Sequence, residues 1–429
     1  MRIVELTQQS QNELLTLLQG RNPASYQEQQ AAVDAIIENV RTKGDEAVLA
    51  YEKQFDRCEM TPETLRVSRE EIEEAYNSLS PEFVEVIRHA AANIAEYHEK
   101  QKVNSWITTR EDGVILGQRV TPIEVSGCYV PGGRAVYPSS VLMNIVPAKV
   151  AGVKKIIMCT PPGQDGKAAA GSLVAADIAG ADEIYKVGGA QAIAAMAYGT
   201  QTIPQADKIT GPGNIYVALA KKACFGIAGI DSVAGPSEIL VIADETADPR
   251  YVAADLLSQA EHDPLASAIL LTNSRTLAEA VSKEIDEFLK TLSRAEIINQ
   301  SLDNYGYIFV SEDMDRLIDA ANAIASEHVE IMTAEPFELM TRIKNAGAIF
   351  LGSHSSEPLG DYFAGPNHIL PTNGTARFFS PLGVDQFIKR TSIISYSREA
   401  LEKVHEEIEL FAENEGLTAH ANSIRVRFE

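Results

Sequence analysis

Residues 155–191 read KIIMCTPPGQDGKAAAGSLVAADIAGADEIYKVGGAQ, and the order of patterns in this stretch decides the fold class. Lys155–Cys159 is a short apolar run of strand length, positions 167–179 have the length and composition of a helix, and Glu183–Val187 is a second short run closed by Gly188 and Gly189. Strand, helix and strand in that order make a βαβ unit. Its crossover helix covers a parallel sheet, which is buried on both faces and therefore reads as continuous apolar runs.

The same alternation continues on both sides. Further strands are expected at Val125–Val130, Ile239–Ala243, Ala268–Leu271, Tyr307–Val310 and Ala348–Leu351. Helices are expected near 139–151, 190–199, 213–228, 247–262, 275–290, 313–327 and 335–345. These are more strands than one sheet holds comfortably, so two α/β domains with mainly parallel sheets are expected, divided near 235–245. Residues 26 to about 105 read as helix. Ser68 and Glu71 form a capping box before Ile72, Ser80–Pro81 is a second helix start, and Phe83, Val84, Ile87, Ala91 and Ile94 share one face. After about 385 the chain reads as helical again, over Arg398–Glu415.

At 429 residues the chain exceeds the size at which a single core stops growing. Its 37 basic and 60 acidic residues leave a formal net charge of −23, which works against nucleic acid and anionic membranes as partners. Any anionic ligand must then be held by local donors such as helix N-termini. Cys58, Cys128, Cys159 and Cys224 show no CxxC spacing, and scattered thiols in so long a chain fit a reducing compartment. Cys128 lies in a glycine-rich segment, where burial as a small apolar residue is expected over reactivity. The opening MRIVELTQQSQNELL places polar and acidic residues where a signal peptide needs an unbroken apolar core. No window is apolar for long enough to span a bilayer. A soluble, cytoplasmic protein is expected.

Four segments put glycine where a strand gives way to a turn or helix: Val130-Pro-Gly132-Gly133, Val187-Gly188-Gly189-Ala-Gln191, Gly211-Pro-Gly213-Asn214 and Ala234-Gly235-Pro-Ser237-Glu238. None is a complete GxGxxG, since the nearest ends in Tyr216 where a small residue is needed. Each alone reads as a tight turn. Together, with the amides of Gln191 and Asn214, they mark a crevice for a nucleotide held in a non-standard way.

A second constellation lies toward the C-terminus. Gln259 and His262 are three apart on a predicted helix and share one face. Asp361 lies in a loop bounded by Gly360 and Gly365, and His420 ends the last helical region. Two imidazoles, a carboxylate and an amide oxygen suit Zn²⁺ or Mn²⁺. Glu327 and His328 are an adjacent acid and base. On a helix their side chains would diverge, so both can face one ligand only if the helix stops there; the alternative is a solvated helix end. His368 lies in the Gly360–Pro371 segment, whose composition suits an ordered binding loop. His89, His98, His354 and His405 read as surface residues.

Taken together these segments resemble the histidinol dehydrogenase family. The resemblance runs from about residue 26 to the C-terminus and rests, in order, on GCYVPGGRAVYPSSVLM, KVGGAQAIAAMAYGT, ITGPGNIYV, AGPSEILVIAD, LLSQAEHDP, ASEHVEI, LGDYFAGPNHILPTNGTARF and EGLTAHANSIRVR. It implies oxidation of L-histidinol to L-histidine through L-histidinaldehyde, in two NAD-dependent hydride transfers with one zinc ion per subunit, as the last step of histidine biosynthesis. It assigns the zinc to Gln259, His262, Asp361 and His420, and acid–base work to Glu327 and His328. Substrate contacts fall on Ser237, Gln259, His262, His328, Asp361, His368, Glu415 and His420, and NAD contacts on Tyr129, Gln191 and Asn214.

The resemblance also implies a homodimer of two incomplete Rossmann-like domains and two smaller units, with C-terminal elements exchanged between subunits. The expected division is an N-terminal helical segment at 1–25, a metal-bearing domain of 26–128 with 239–381, a nucleotide domain at 129–238 and a small C-terminal domain at 382–429. One departure is Ser326, where the family more often has proline; this alters helix-end rigidity rather than chemistry. Glu415, His420 and His368 argue against a relative acting on a small alcohol without an imidazole, such as a sulfonated diol. A zinc hydrolase activating water on Glu327 would need no nicotinamide, and a non-catalytic binding protein would have no use for Glu327 and His328.

Overall fold

The computed structural model describes residues 1–21, 26–132 and 137–429; Gly133, in the first glycine-rich turn, lies outside them. By contact the chain divides into a unit of Met1–Gln101 with Ile123–Phe387 and a unit of Lys102–Pro122 with Ile388–Glu429.

The larger unit holds two wholly parallel sheets, as the βαβ alternation requires. One runs in the spatial order Glu183–Lys186, Lys155–Thr160, Val125–Tyr129, Lys208–Thr210, Gly229–Ile230. The other runs Arg2–Glu5, Gly306–Val310, Ser267–Thr272, Glu238–Ala243, His328–Met332, Ala348–Leu351. Apart from the edge strand Arg2–Glu5, the chain enters each sheet in the interior, builds to one side, then returns to build the other. This doubly wound order leaves a crevice where the winding reverses. Strand residues alternate between two apolar layers: Ile239, Val241 and Ala243 join Leu256 and Val281, while Leu240 and Ile242 join Leu317 and Ile318. Both faces being covered explains the unbroken apolar runs. The chain passes from one sheet to the other between Ile230 and Glu238.

The division along the chain differs from expectation at three places. Arg2–Glu5 is not part of a separate helical segment but an edge strand paired in parallel with Tyr307–Val310. The helices from Gln27 to Glu99 cover the five-stranded sheet, not the one carrying the expected metal residues: Val33, Ile36 and Val40 pack with Ile157 and Ile193, and Ile87 and Ile94 pack with Cys128 and Met158. Helix periodicity shows that a face is buried but not against which sheet. Finally, Ile388–Ser395 is a strand, antiparallel to Ile115–Pro122, whose other neighbour is Trp106–Thr109. The smaller unit is therefore this three-stranded sheet with helices Arg398–Glu402, His405–Asn414 and Thr418–Arg425, replacing the single expected helix. Gly416 turns the chain between the last two at φ 74°.

All four cysteines are buried free thiols, and burial pushes the Cys128 thiol up to about 11, as its inert reading expects. His98 is a correction: it is fully buried, with Nδ1 2.7 Å from Gln101 Oε1. Among the described residues no helix is long and apolar enough to cross a membrane.

Candidate active site

Helix Met314–Ile324 stops at Ala325, which takes the left-handed conformation at φ 55°. The chain then extends through Ser326 and Glu327 into the strand beginning at His328. This is the helix end that lets adjacent acid and base face one place: Glu327 Oε2 is 3.6 Å from His328 Nδ1. Both are buried. Ser237 and Glu238 stand at the start of the neighbouring strand, paired His328 to Ile239. The cluster therefore sits at the amino edge of the six-stranded sheet, whereas doubly wound sheets usually bind ligands at the carboxyl edge.

Glu238 organises the pair. Its N–H donates to Glu327 Oε2 at 2.9 Å, and its carbonyl lies 2.9 Å from His328 Nδ1. A carbonyl only accepts, so the imidazole proton sits on Nδ1 and Nε2 carries the lone pair. Nε2 is buried with no hydrogen-bond partner, 3.9 Å from Glu357 Oε1. Burial pushes Glu327 well above the ordinary carboxyl range, with Glu238 and Asp361 adding to it, and burial lowers His328.

Helix Glu357–Tyr362 presents Glu357 and Asp361 four apart on one face. Glu357 accepts from Ser258 Oγ at 3.2 Å and lies beside Gln259, and its N–H donates to Glu330 at 2.8 Å. His328, Glu357 and Asp361 each offer a ligand atom within 4.8 Å of the others. Burial pushes Glu357 up to about 7 and Asp361 up to about 6. His368 points Nδ1 at the Asp361 carbonyl, 3.0 Å away, and its Nε2 lies 3.2 Å from Ser140 Oγ; burial holds it down at about 4. Ser140 opens the helix that follows Val125–Tyr129, so the two sheets meet here. A cavity of about 310 Å³ is lined by His328, Phe350, Leu359, Asp361, Pro366 and His368.

A divalent cation fits this chemistry. Glu357 Oε1 and His328 Nε2 are orphaned, and buried Glu357 and half-buried Asp361 offer carboxylate oxygens beside them. Of the residues expected to hold zinc, Gln259 and Asp361 adjoin Glu357. His262 is exposed past the end of helix Pro249–Ala260, on the side of His328 and His368. Glu415 and His420 are exposed on the smaller unit. Ser237 is half-buried.

The nucleotide candidates gather at the carboxyl edge of the five-stranded sheet. Gly211 follows Lys208–Thr210 at φ 117°, where a Cβ would fall on the Tyr129 carbonyl oxygen. Tyr129 Oη accepts from Gly189 N–H at 3.1 Å, buried Gln191 donates to Glu52 at 2.9 Å, and exposed Asn214 caps helix Ile215–Cys224. All three side chains order the glycine turns.

Sequence reasoning passed over Glu357, Glu238 and Arg21. Glu357 carried a legible signal: a Ser-Glu-Pro helix start, with an acid four residues before Asp361. Glu238 and Arg21 carried none, because buried ion pairs between distant segments leave no local pattern.

Comparison with known proteins bears on the fold and the family. A family profile described as histidinol dehydrogenase matches residues 19–428. Histidinol dehydrogenase of Bacillus licheniformis is 58% identical over 404 residues, covering 94% of each chain, and that of Bacillus subtilis is 57% identical over 404 residues with the same coverage. The crystal structure of histidinol dehydrogenase from Elizabethkingia anophelis superposes with a TM-score of 0.94 at 38% identity, covering 100% of this chain and 98% of that one.

Proposed function

The chain belongs to the histidinol dehydrogenase family, and from that membership we propose that it oxidises L-histidinol to L-histidine through L-histidinaldehyde, the last step of histidine biosynthesis. The observation that carries the reading is the buried imidazole of His328. Its proton is fixed on Nδ1 by the Glu238 carbonyl, which leaves Nε2 free beside two acids.

In the first oxidation His328 Nε2 takes the alcohol proton; its lowered pKa keeps it neutral and able to accept near neutral pH. In the second, Glu327 takes a proton from the water that adds to the aldehyde, giving a hydrate that His328 deprotonates in turn. A raised carboxyl pKa brings Glu327 closer to the range in which a general base works. NAD at the glycine turns would supply the hydride acceptor, one molecule for each of the two oxidations, and zinc would supply a Lewis-acidic anchor for the substrate. Gln259, His262 and Asp361 would hold that ion with His420, and Glu357 would neutralise it from beside Asp361. Asp361 and Glu415 would attract the cationic substrate, with Ser237 and His368 orienting it. Tyr129, Gln191 and Asn214 would hold NAD through the turns they order. A second copy of the chain would supply Glu415 and His420, making a homodimer.

The deciding assay takes purified, zinc-loaded protein with histidinol and NAD and counts NADH. Two NADH per histidinol are expected, and none would refute the reading.

A further inference from the structure

The N-terminal segment reaches the active site through one buried cation. Arg21 is 3% exposed and stands just past helix Gln8–Gln19. Nη2 of the guanidinium pairs with Glu238 Oε1 at 2.5 Å, Nη1 donates to the Leu265 carbonyl at 2.8 Å, Nε has no hydrogen-bond partner among the described residues, and the group lies over the Tyr305 ring. Among the described residues no other side-chain cation pairs with Glu238.

Glu238 is committed on every polar group. Oε1 takes Arg21 and Oε2 accepts the Glu327 N–H at 3.3 Å. Its own N–H holds Glu327 Oε2 and its carbonyl holds His328 Nδ1. The orientation of both acid–base side chains is thus fixed by one residue, whose charge is balanced by Arg21 alone. We propose that Arg21 is a positioning residue for the Glu327–His328 pair, acting through Glu238.

Without the guanidinium, Glu238 is a buried carboxylate beside a second buried acid. Desolvation and repulsion then favour its protonation or displacement, and either removes the charged acceptor that fixes the Glu327 N–H. Misplacing a catalytic group by about 1 Å costs on the order of 10²-fold in rate. Gln259, Asp361 and His368 are held by other contacts, so that side of the substrate site is insulated from the change.

The inference rests on the functional reading above, and its test separates the two. Arg21→Met, Arg21→Lys and Glu238→Gln are compared with wild type in the whole zinc-loaded enzyme, for kcat, for KM of histidinol and of NAD, and for zinc content. Arg21→Met is expected to lose on the order of 10²-fold in kcat, with both KM values within about threefold and zinc retained. Arg21→Lys keeps the charge and is expected within about tenfold of wild type. Should Arg21→Met not fold, Glu238→Gln carries the test, with the same split expected between kcat and KM. A kcat unmoved in Arg21→Met, or in Glu238→Gln, overturns the inference, as does a kcat loss matched by loss of zinc or by an equal rise in KM. A wild type without turnover sinks the functional reading and this one together; an active wild type with an indifferent Arg21→Met sinks this one alone.

Discussion

Replacing His328 by asparagine separates fold from chemistry. The imidazole does two things: Nδ1 donates to the Glu238 carbonyl at 2.9 Å, and Nε2 stands free 3.9 Å from Glu357 Oε1. An asparagine amide reaches the position of Nδ1 and can donate the same hydrogen bond, worth about 1 kcal/mol. Nothing in the variant occupies the position of Nε2. The missing ring atoms leave a small void costing about 1–2 kcal/mol, so the melting temperature should fall by only a few degrees. Loss of a general base costs 10²–10⁴-fold in kcat, which is about 2.7–5.5 kcal/mol of barrier. The assay is NADH formation from histidinol in protein whose zinc has been measured. Full kcat in His328→Asn would refute the assignment of the base. Loss of zinc along with kcat would instead make His328 a ligand, as its closeness to Glu357 and Asp361 allows.

Three further outcomes follow from the geometry. His262→Ala should lose the metal on dialysis; one zinc per subunit retained by elemental analysis would contradict the ligand set. Gly211→Ala places a Cβ on the Tyr129 carbonyl at a φ of 117°. It should cost about 1–3 kcal/mol of stability or raise the KM for NAD about tenfold or more, as a melt and an NAD titration would show. The metal-free protein should lose stability as pH rises from 6.5 to 8. Burial raises Glu357 to about 7 and Glu52 to about 8, so the fold holds protons that the unfolded chain has already released, and that advantage vanishes as pH passes those values. His368, depressed to about 4, and His328, also lowered, act in the opposite sense only below about pH 6.5, where the unfolded imidazole charges. The expected loss is about 2 kcal/mol in a denaturant titration, smaller when zinc is present. A stability that rises across this window would contradict the carboxyl shifts.

The amino-acid sequence by itself determined most of the helices and most of the core strands, because apolar runs, capping residues and glycine turns act over a few neighbouring positions; the buried strand His328–Met332, short and carrying Glu330, escaped it. Lys155–Cys159, Glu183–Val187 and Ala348–Leu351 were legible for that reason, whereas the helix expected over 313–327 ends at Ile324, before Glu327. The motifs also carried the family. Only the tertiary structure decided that Arg2–Glu5 pairs with a strand some 300 residues away, that the helices from Gln27 to Glu99 cover the five-stranded sheet, and that Glu238 and Arg21 stand behind the acid–base pair. The physical reason is range. A short strand with charged ends has no period to read, and a helix face is equally apolar whichever sheet it meets. A buried ion pair becomes favourable only once the surrounding fold has already excluded water from both partners.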